Sequence, residues 1–133
     1  MRFDELNLGD AVLDGLEAMN FQEMTPIQEL SIPPILEGKD IIGCAQTGTG
    51  KTAAYVLPII SKLNDGNYPQ DAVNAVIMVP TRELVQQIDQ QIDGFTYFVP
   101  VSAVAVYGGT DGIAYAQQER GLQMGSDIVI ATP

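Results

Sequence analysis

The strongest constraint on the fold is a glycine-rich loop that joins an apolar run to a helical pattern. The apolar run covers residues 40–45, the helical pattern covers 52–63, and the loop ends in Gly50-Lys51-Thr52. Glycines let successive N–H groups of such a loop point at phosphate oxygens, and the N-terminus of the next helix adds positive potential. The pattern predicts a phosphate-binding loop, in which Lys51 reaches the β/γ-phosphates and the Thr52 hydroxyl holds Mg²⁺. The generic motif begins with glycine where this chain has Ala45, and a plain glycine-rich turn is the alternative.

Composition narrows the class of protein. The 133 residues suffice for one domain, and a net charge of −11 with six Lys and Arg excludes nucleic-acid binding through overall charge. The chain has one cysteine, Cys44, which excludes an internal disulfide. It has no His, which excludes histidine chemistry and leaves no Cys/His cluster for a zinc site. No apolar run is long enough to cross a bilayer, and no signal-peptide pattern opens the chain. We therefore expect a cytoplasmic protein in which Cys44 is a small buried side chain.

Alternating strand and helix patterns predict an α/β fold with a parallel sheet flanked by helices. Four nearly continuous apolar runs are expected to be strands covered on both faces: 40–45, 73–79, 101–107 and 127–131. Helices are expected over 9–19, 25–36, 52–63, 81–95 and 113–122. We expect Pro33 and Pro34 to break or kink the second helix, and Pro58 to bend the third. Leu84, Ile88 and Ile92 are predicted to form the buried stripe of the fourth helix.

Three further patterns follow predicted strands: Pro80-Thr81-Arg82-Glu83-Leu84, Tyr107-Gly108-Gly109 and Ala131-Thr132-Pro133. The carboxyl ends of parallel strands lie at one edge of a sheet, where ligands bind, so these segments are expected beside the phosphate loop. Thr25 and Gln28 have the spacing of a helix capping box, which is the local interpretation of that pair.

Taken together, these segments resemble the N-terminal part of a DEAD-box RNA helicase over essentially the whole chain. Residues 20–28 look like the family's adenine-reading Q motif, residues 45–52 like its motif I, and residues 80–87 like motif Ia. The family form accepts alanine at position 45. Residues 108–109 look like its glycine doublet and residues 132–133 like the start of motif Ib. The resemblance implies a partial first RecA-like domain over 1–133, with the Q-motif region beginning near residue 3.

The resemblance also implies the site residues. Catalytic roles fall to Lys51 and Thr52, with Thr52 as the Mg²⁺ ligand. ATP-binding residues would be Phe3, Phe21, Thr25, Gln28, Ala45, Gln46, Thr47, Gly48, Thr49, Gly50, Lys51 and Thr52. The Gln28 amide would select adenine, since it can donate and accept together. Phe3 and Phe21 have a second interpretation as plain core residues.

The RNA-backbone contacts implied by the resemblance are Pro80, Thr81, Arg82, Gly108, Gly109 and Thr132. Thr132 would offer its hydroxyl and its N–H to a phosphate. The alternatives are a helix cap at Thr81, an ion pair at Arg82 and a simple turn at Gly108-Gly109.

The family's Asp-Glu-Ala-Asp and Ser-Ala-Thr motifs do not occur, nor does the second RecA-like domain that supplies arginine fingers. In the family's sheet the strands that carry those motifs separate the phosphate-loop strand from the other three. We therefore expect part of a longer RNA helicase that is inactive alone and is marginal, rearranged or self-associated through open sheet edges. The alternatives are an inactive nucleotide-binding module, or another phosphate-loop enzyme such as a kinase or DNA helicase.

Overall fold

A computed structural model of the chain describes residues 1–69, 72–108, 112–123 and 125–133. A short 3₁₀ helix over Phe3–Glu5, which the sequence patterns did not predict, precedes five α-helices. These are α1 Asp10–Ala18, α2 Pro26–Leu36, α3 Lys51–Asn64, α4 Arg82–Phe95 and α5 Gly112–Gln123. Each predicted helix is present, with ends that differ by at most one residue.

Three parallel strands form the sheet: β1 Ala75–Met78, β2 Ala103–Val106 and β3 Ile128–Ala131. The order is β1-β3-β2, so the last strand lies between the first two. Val76, Val129 and Val104 are in register, as are the residues on either side of them. The predicted fold class, a parallel sheet flanked by helices and lacking some strands, is confirmed.

The predicted strand over residues 40–45 is wrong. This segment has no regular secondary structure, and Ile42 is 98% exposed. An apolar run becomes a strand only where a neighbouring strand accepts its hydrogen bonds. Among the described residues, β1, β2 and β3 pair with one another and none pairs with this segment. Cys44 is exposed for the same reason, which corrects the expectation that it is buried.

Of the two effects predicted for Pro33 and Pro34, a break or a kink, the break does not occur, because α2 continues to Leu36. A proline removes an N–H donor but keeps its carbonyl. Both carbonyls are satisfied here: Glu37 N–H donates to Pro33 O at 3.1 Å, and Lys39 N–H donates to Pro34 O at 3.0 Å. The carbonyls that lose a donor belong to Glu29 and Leu30, four residues earlier, and both residues are exposed, so water can bond them. Pro58 likewise lies inside α3.

The core lies between the sheet and helices α1, α3 and α4. Helix α4 buries Val85, Ile88, Ile92 and Phe95. Leu84 is half-exposed, so its predicted place in the buried stripe is wrong and Val85 takes it. Ile88 and Ile92 are buried as predicted, so only the first position of the stripe differs. It lies in the first turn of the helix, where Thr81 accepts a hydrogen bond from Leu84 N–H at 3.3 Å.

One face of the sheet is only partly covered. Helix α5 lies on β2, where a Cβ added at Gly121 would come within 2.7 Å of Val104. No described helix extends that cover to β1, and Val76 and Met78 are 61% and 56% exposed. The expectation of strands covered on both faces is therefore wrong for β1.

Candidate nucleotide-binding site

A cleft of about 970 Å³ lies between the glycine-rich loop and helix α4. Nine of the predicted nucleotide-binding residues line it: Phe3, Phe21, Thr25, Gln28, Thr47, Gly48, Gly50, Lys51 and Thr52. The fold thus brings together residues as far apart in the chain as Phe3 and Thr52. Such a volume lies at the upper end of the range of small-molecule sites.

The glycine loop leads directly into helix α3. Gly50 caps the helix with a left-handed backbone, φ 84°, and Lys51 and Thr52 are its first residues. The N–H groups at this end of the helix have no partner within the helix, and they carry the positive end of its dipole. This is the chemistry that an anionic phosphate requires.

The remaining predicted loop residues, Ala45, Gln46 and Thr49, do not line the cleft. Two of their contacts close the loop on itself: Lys51 Nζ donates to Ala45 O at 2.7 Å, and Thr49 Oγ1 donates to Gln46 O at 2.6 Å. The Lys51 ammonium is therefore held by a backbone carbonyl of its own loop.

Gln28 ties the segment before α2 to the phosphate loop. Its side chain is buried, with Oε1 accepting from Thr25 N–H at 2.9 Å and Nε2 donating to Gly50 O at 3.1 Å. The Oε1 bond is the one that the capping-box interpretation predicts. The Nε2 bond connects residues 22 positions apart, which sequence spacing could not show. One N–H and one lone pair of the amide are left over.

Thr25 carries a second polar group at this junction. Its Oγ1 atom is buried and has no hydrogen-bond partner among the described residues. A Cβ added at Gly50 would lie 3.3 Å from this oxygen and 2.3 Å from Gln28 Nε2. Glycine is therefore required at position 50 both for its backbone and for the space that it leaves.

Two aromatic residues form the wall beside Gln28. Phe3 is buried, and its ring centroid lies 6.1 Å from that of Phe21, which in turn meets Phe95 edge-on at 5.4 Å. These rings belong to the core, as one interpretation from the sequence had it, and they also line the cleft, so their contact with a nucleotide stays a prediction.

The sequence patterns missed several lining residues. Tyr55 lies four residues after Lys51 on α3, where helical spacing brings it to the same face. Burial raises the pKa of the Tyr55 phenol, and a hydrogen bond with Thr52 lowers it. From α4 come Leu84, Gln87, Ile88 and Gln91, a helical i, i+3, i+4, i+7 set that the pattern could have indicated.

The described members of the predicted RNA-contact set follow the carboxyl ends of the strands, and none of them lines the cleft. Thr81 is the N-cap of α4, and Arg82 Nε lies 3.4 Å from Glu83 Oε1, as the local alternatives had it. Thr132 N–H donates to Val106 O at 3.2 Å, which leaves its hydroxyl for a ligand. Pro80 and Gly108 are exposed, and Gly109 lies outside the described residues.

The described part of the chain has neither a cluster of metal ligands nor a membrane-spanning helix. It contains no group of three or more Cys, Asp or Glu side chains placed to hold a metal ion. Its helices are too short or too polar for any of them to span a membrane.

Comparison with known proteins agrees with this geometry. The family model for the DEAD/DEAH box helicase matches residues 25–133. An ATP-dependent RNA helicase CshA from Listeria monocytogenes is 44% identical over 99% of this chain and 24% of its own length. Its counterpart from Limosilactobacillus reuteri is 42% identical over 100% of the chain and 26% of its own length.

Solved structures give the same result. A DEAD box protein from the hyperthermophile Methanococcus jannaschii superimposes with a TM-score of 0.87 and 34% identity, covering 100% of this chain and 35% of that one. A hypothetical ATP-dependent RNA helicase from Sulfolobus tokodaii has a TM-score of 0.78 and 32% identity, over 96% and 34% of the two chains. The chain spans about a quarter of the length of the two CshA helicases.

Proposed function

Because the chain belongs to the DEAD/DEAH box helicase family, we propose that it is the ATP-binding portion of an ATP-dependent RNA helicase that remodels short RNA duplexes. The observation that carries the proposal is the cleft at the N-terminus of α3, lined by the phosphate loop and the Thr25–Gln28 segment together. A phosphate loop alone is common to many enzymes. Its junction with a buried amide and an aromatic wall favours an adenine nucleotide.

Lys51 and Thr52 would hold the phosphates and the metal. Lys51 Nζ, which now donates to Ala45 O, would bind the β/γ-phosphates, and the Thr52 hydroxyl would be the protein's ligand to Mg²⁺. The donor set fits the ion, because Mg²⁺ takes few protein oxygens and keeps waters and phosphate oxygens as its other ligands. When bound, Mg²⁺–ATP supplies the phosphoryl group whose hydrolysis drives the cycle.

Base selection falls to Gln28. With one N–H and one lone pair still available, its amide can pair with the donor and acceptor on one edge of adenine. The bonds to Thr25 and Gly50 hold the amide in one orientation, so a base that presents the opposite pattern is rejected. Phe3 and Phe21 form the apolar wall beside it.

RNA would meet the carboxyl edge of the sheet. The residues proposed for these contacts are Pro80, Thr81, Arg82, Gly108, Gly109 and Thr132. Because the net charge is −11, phosphate contacts have to come from local donors and not from a basic surface. The second RecA-like domain completes the RNA and ATP sites, so we expect this chain alone to bind nucleotide without hydrolysing it.

The test is thermal unfolding with and without Mg²⁺–ADP, with Mg²⁺–GDP as the control ligand. A ligand that binds only the folded state raises the midpoint, so we expect a shift with ADP and none with GDP. Lys51→Ala should abolish the shift while changing the free energy of unfolding by about 0.5 kcal/mol or less, because the side chain is exposed. Equal shifts with ADP and GDP, or a shift that survives Lys51→Ala, would contradict the proposal.

A further inference from the structure

Tyr107 follows the last residue of β2 and is held by two different helices. Its ring packs against the core. Gln86 Nε2, on α4, donates to the Tyr107 hydroxyl at 3.2 Å, and the Tyr107 N–H donates to Gln118 Oε1, on α5, at 3.2 Å. The partners lie 21 and 11 positions from Tyr107 along the chain, so both bonds depend on how the two helices pack beside β2.

The bond to Gln118 satisfies a backbone group that the sheet leaves without a partner. Thr132 N–H donates to Val106 O at 3.2 Å, so the hydrogen-bonding groups of Val106 point toward β3. These groups alternate sides along a strand, and the N–H of Tyr107 therefore points away from β3. Because Gln118 accepts it, the end of β2 is fixed to β3 on one side and to α5 on the other.

The bond to Gln86 connects this strand end to α4. Gln86 lies in the second turn of that helix, which begins at Arg82. Arg82, Gly108 and Thr132 belong to three segments proposed above to meet RNA, one after each strand. Tyr107 directly precedes Gly108, and its hydroxyl is the point at which this segment is tied to the helix of Arg82.

We propose that Tyr107 is a positioning residue, which holds Gly108 at a fixed distance from the start of α4 so that one RNA backbone can meet both segments. The inference rests on the proposed function, since it requires RNA at these strand ends. A chain of net charge −11 does not attract a phosphate backbone by its overall field, so its affinity depends on local groups that are already in place. Hydrogen bonds behind a site keep its groups within about 0.5 Å of the binding geometry.

The hydroxyl is the part of Tyr107 that this role requires. A phenylalanine would fill the same space against the core but could not accept the hydrogen bond from Gln86. Tyr107→Phe and Gln86→Met each remove that bond while nearly keeping the size of the side chain. Gln90→Met is the matched control, because Gln90 is an exposed glutamine of the same helix one turn later and makes no contact with Tyr107.

Fluorescence anisotropy of a labelled single-stranded oligouridine, at one fixed salt concentration, measures the RNA affinity of these chains. Tyr107→Phe and Gln86→Met should each weaken RNA binding about fivefold, the effect of one neutral hydrogen bond. The double variant should lose no more than either single variant, because both changes remove the same bond. Gln90→Met should bind RNA as the wild type does. The rise in unfolding midpoint with Mg²⁺–ADP should be the same in all four variants, since none of these residues belongs to the phosphate loop.

A Tyr107→Phe chain that loses stability but binds RNA as tightly as the wild type would overturn the proposal, because the bond would then serve the fold alone. Losses that add up in the double variant would overturn it as well, since the two side chains would then act independently. Both results leave the proposed function intact. A wild-type chain that does not bind the oligouridine would instead contradict the RNA contacts of the proposed function, and the role of Tyr107 with them.

Discussion

At the scale of single residues, Gln28 shows what local sequence can and cannot predict. Its spacing from Thr25 predicted the cap bond, which is present at 2.9 Å. The bond from Nε2 to Gly50 O depends on how two distant segments pack, and no local pattern encodes that. The resemblance identified Gln28 as a site residue, but only the structure shows that it contacts the loop itself.

Gly50→Ala should destabilise the chain more than a backbone argument alone predicts. The left-handed φ of 84° costs a non-glycine residue about 1–2 kcal/mol. The added Cβ would also lie 2.3 Å from Gln28 Nε2, which would displace a buried amide at a further cost of about 1–3 kcal/mol. Denaturant unfolding measures the sum.

The control for that experiment lies two residues earlier. Gly48 has the same φ of 84°, but a Cβ added there meets nothing within 4 Å. Gly48→Ala therefore carries the backbone strain without the overlap, and any effect on the unfolded chain is common to both variants. Equal losses of stability in the two variants would show that the Gln28 contact contributes nothing.

At the scale of elements, the sequence predicted which helices form better than it predicted which strands form or which side chains are buried. All five helices were predicted because their apolar spacing is a local property. The strand at 40–45 was predicted wrongly because a strand depends on partners that its own residues cannot specify. Likewise Leu84 and Val85 are both apolar, and their sequence does not say which of them is buried; the structure buries Val85 and leaves Leu84 39% exposed.

Helix α4 carries two neighbouring acidic side chains, Asp89 and Asp93, which should make the stability of the chain depend on pH. Burial, and then Asp93 one turn away, raises the pKa of Asp89 above its ordinary value of 3.8. The folded chain therefore holds this proton to higher pH than the unfolded chain does. The free energy of unfolding falls as pH rises from 3.8 towards the raised value, and remains lower above it.

Asp89→Asn should remove this effect. The gain in stability over the wild type should be larger at pH 7 than near pH 3.5, as measured by denaturant unfolding of both chains across that range. Asp93→Asn should give a smaller gain at pH 7, because burial is the larger cause of the shift. A difference between wild type and Asp89→Asn that does not vary with pH would contradict the assignment.

At the scale of the whole molecule, the cleft was the feature that the sequence predicted best. The charge distribution contributed least to the predictions made from the sequence. Nine of the twelve predicted nucleotide residues line one cleft, because glycine loops and helix starts are encoded locally and the α/β pattern places them at one edge. The α4 side of the cleft escaped prediction, since it depends on how that helix packs against the loop.

The net charge of −11 should make stability depend on salt. Within the described residues, the four ion pairs all lie on the exposed surface, so most carboxylates repel one another without compensation. Raising NaCl from 0.01 M to 0.1 M shortens the Debye length from about 30 Å to about 10 Å and screens that repulsion. The unfolding midpoint should therefore rise over this range, and KCl should act equally. A midpoint that falls with salt would mean that the ion pairs outweigh the repulsion.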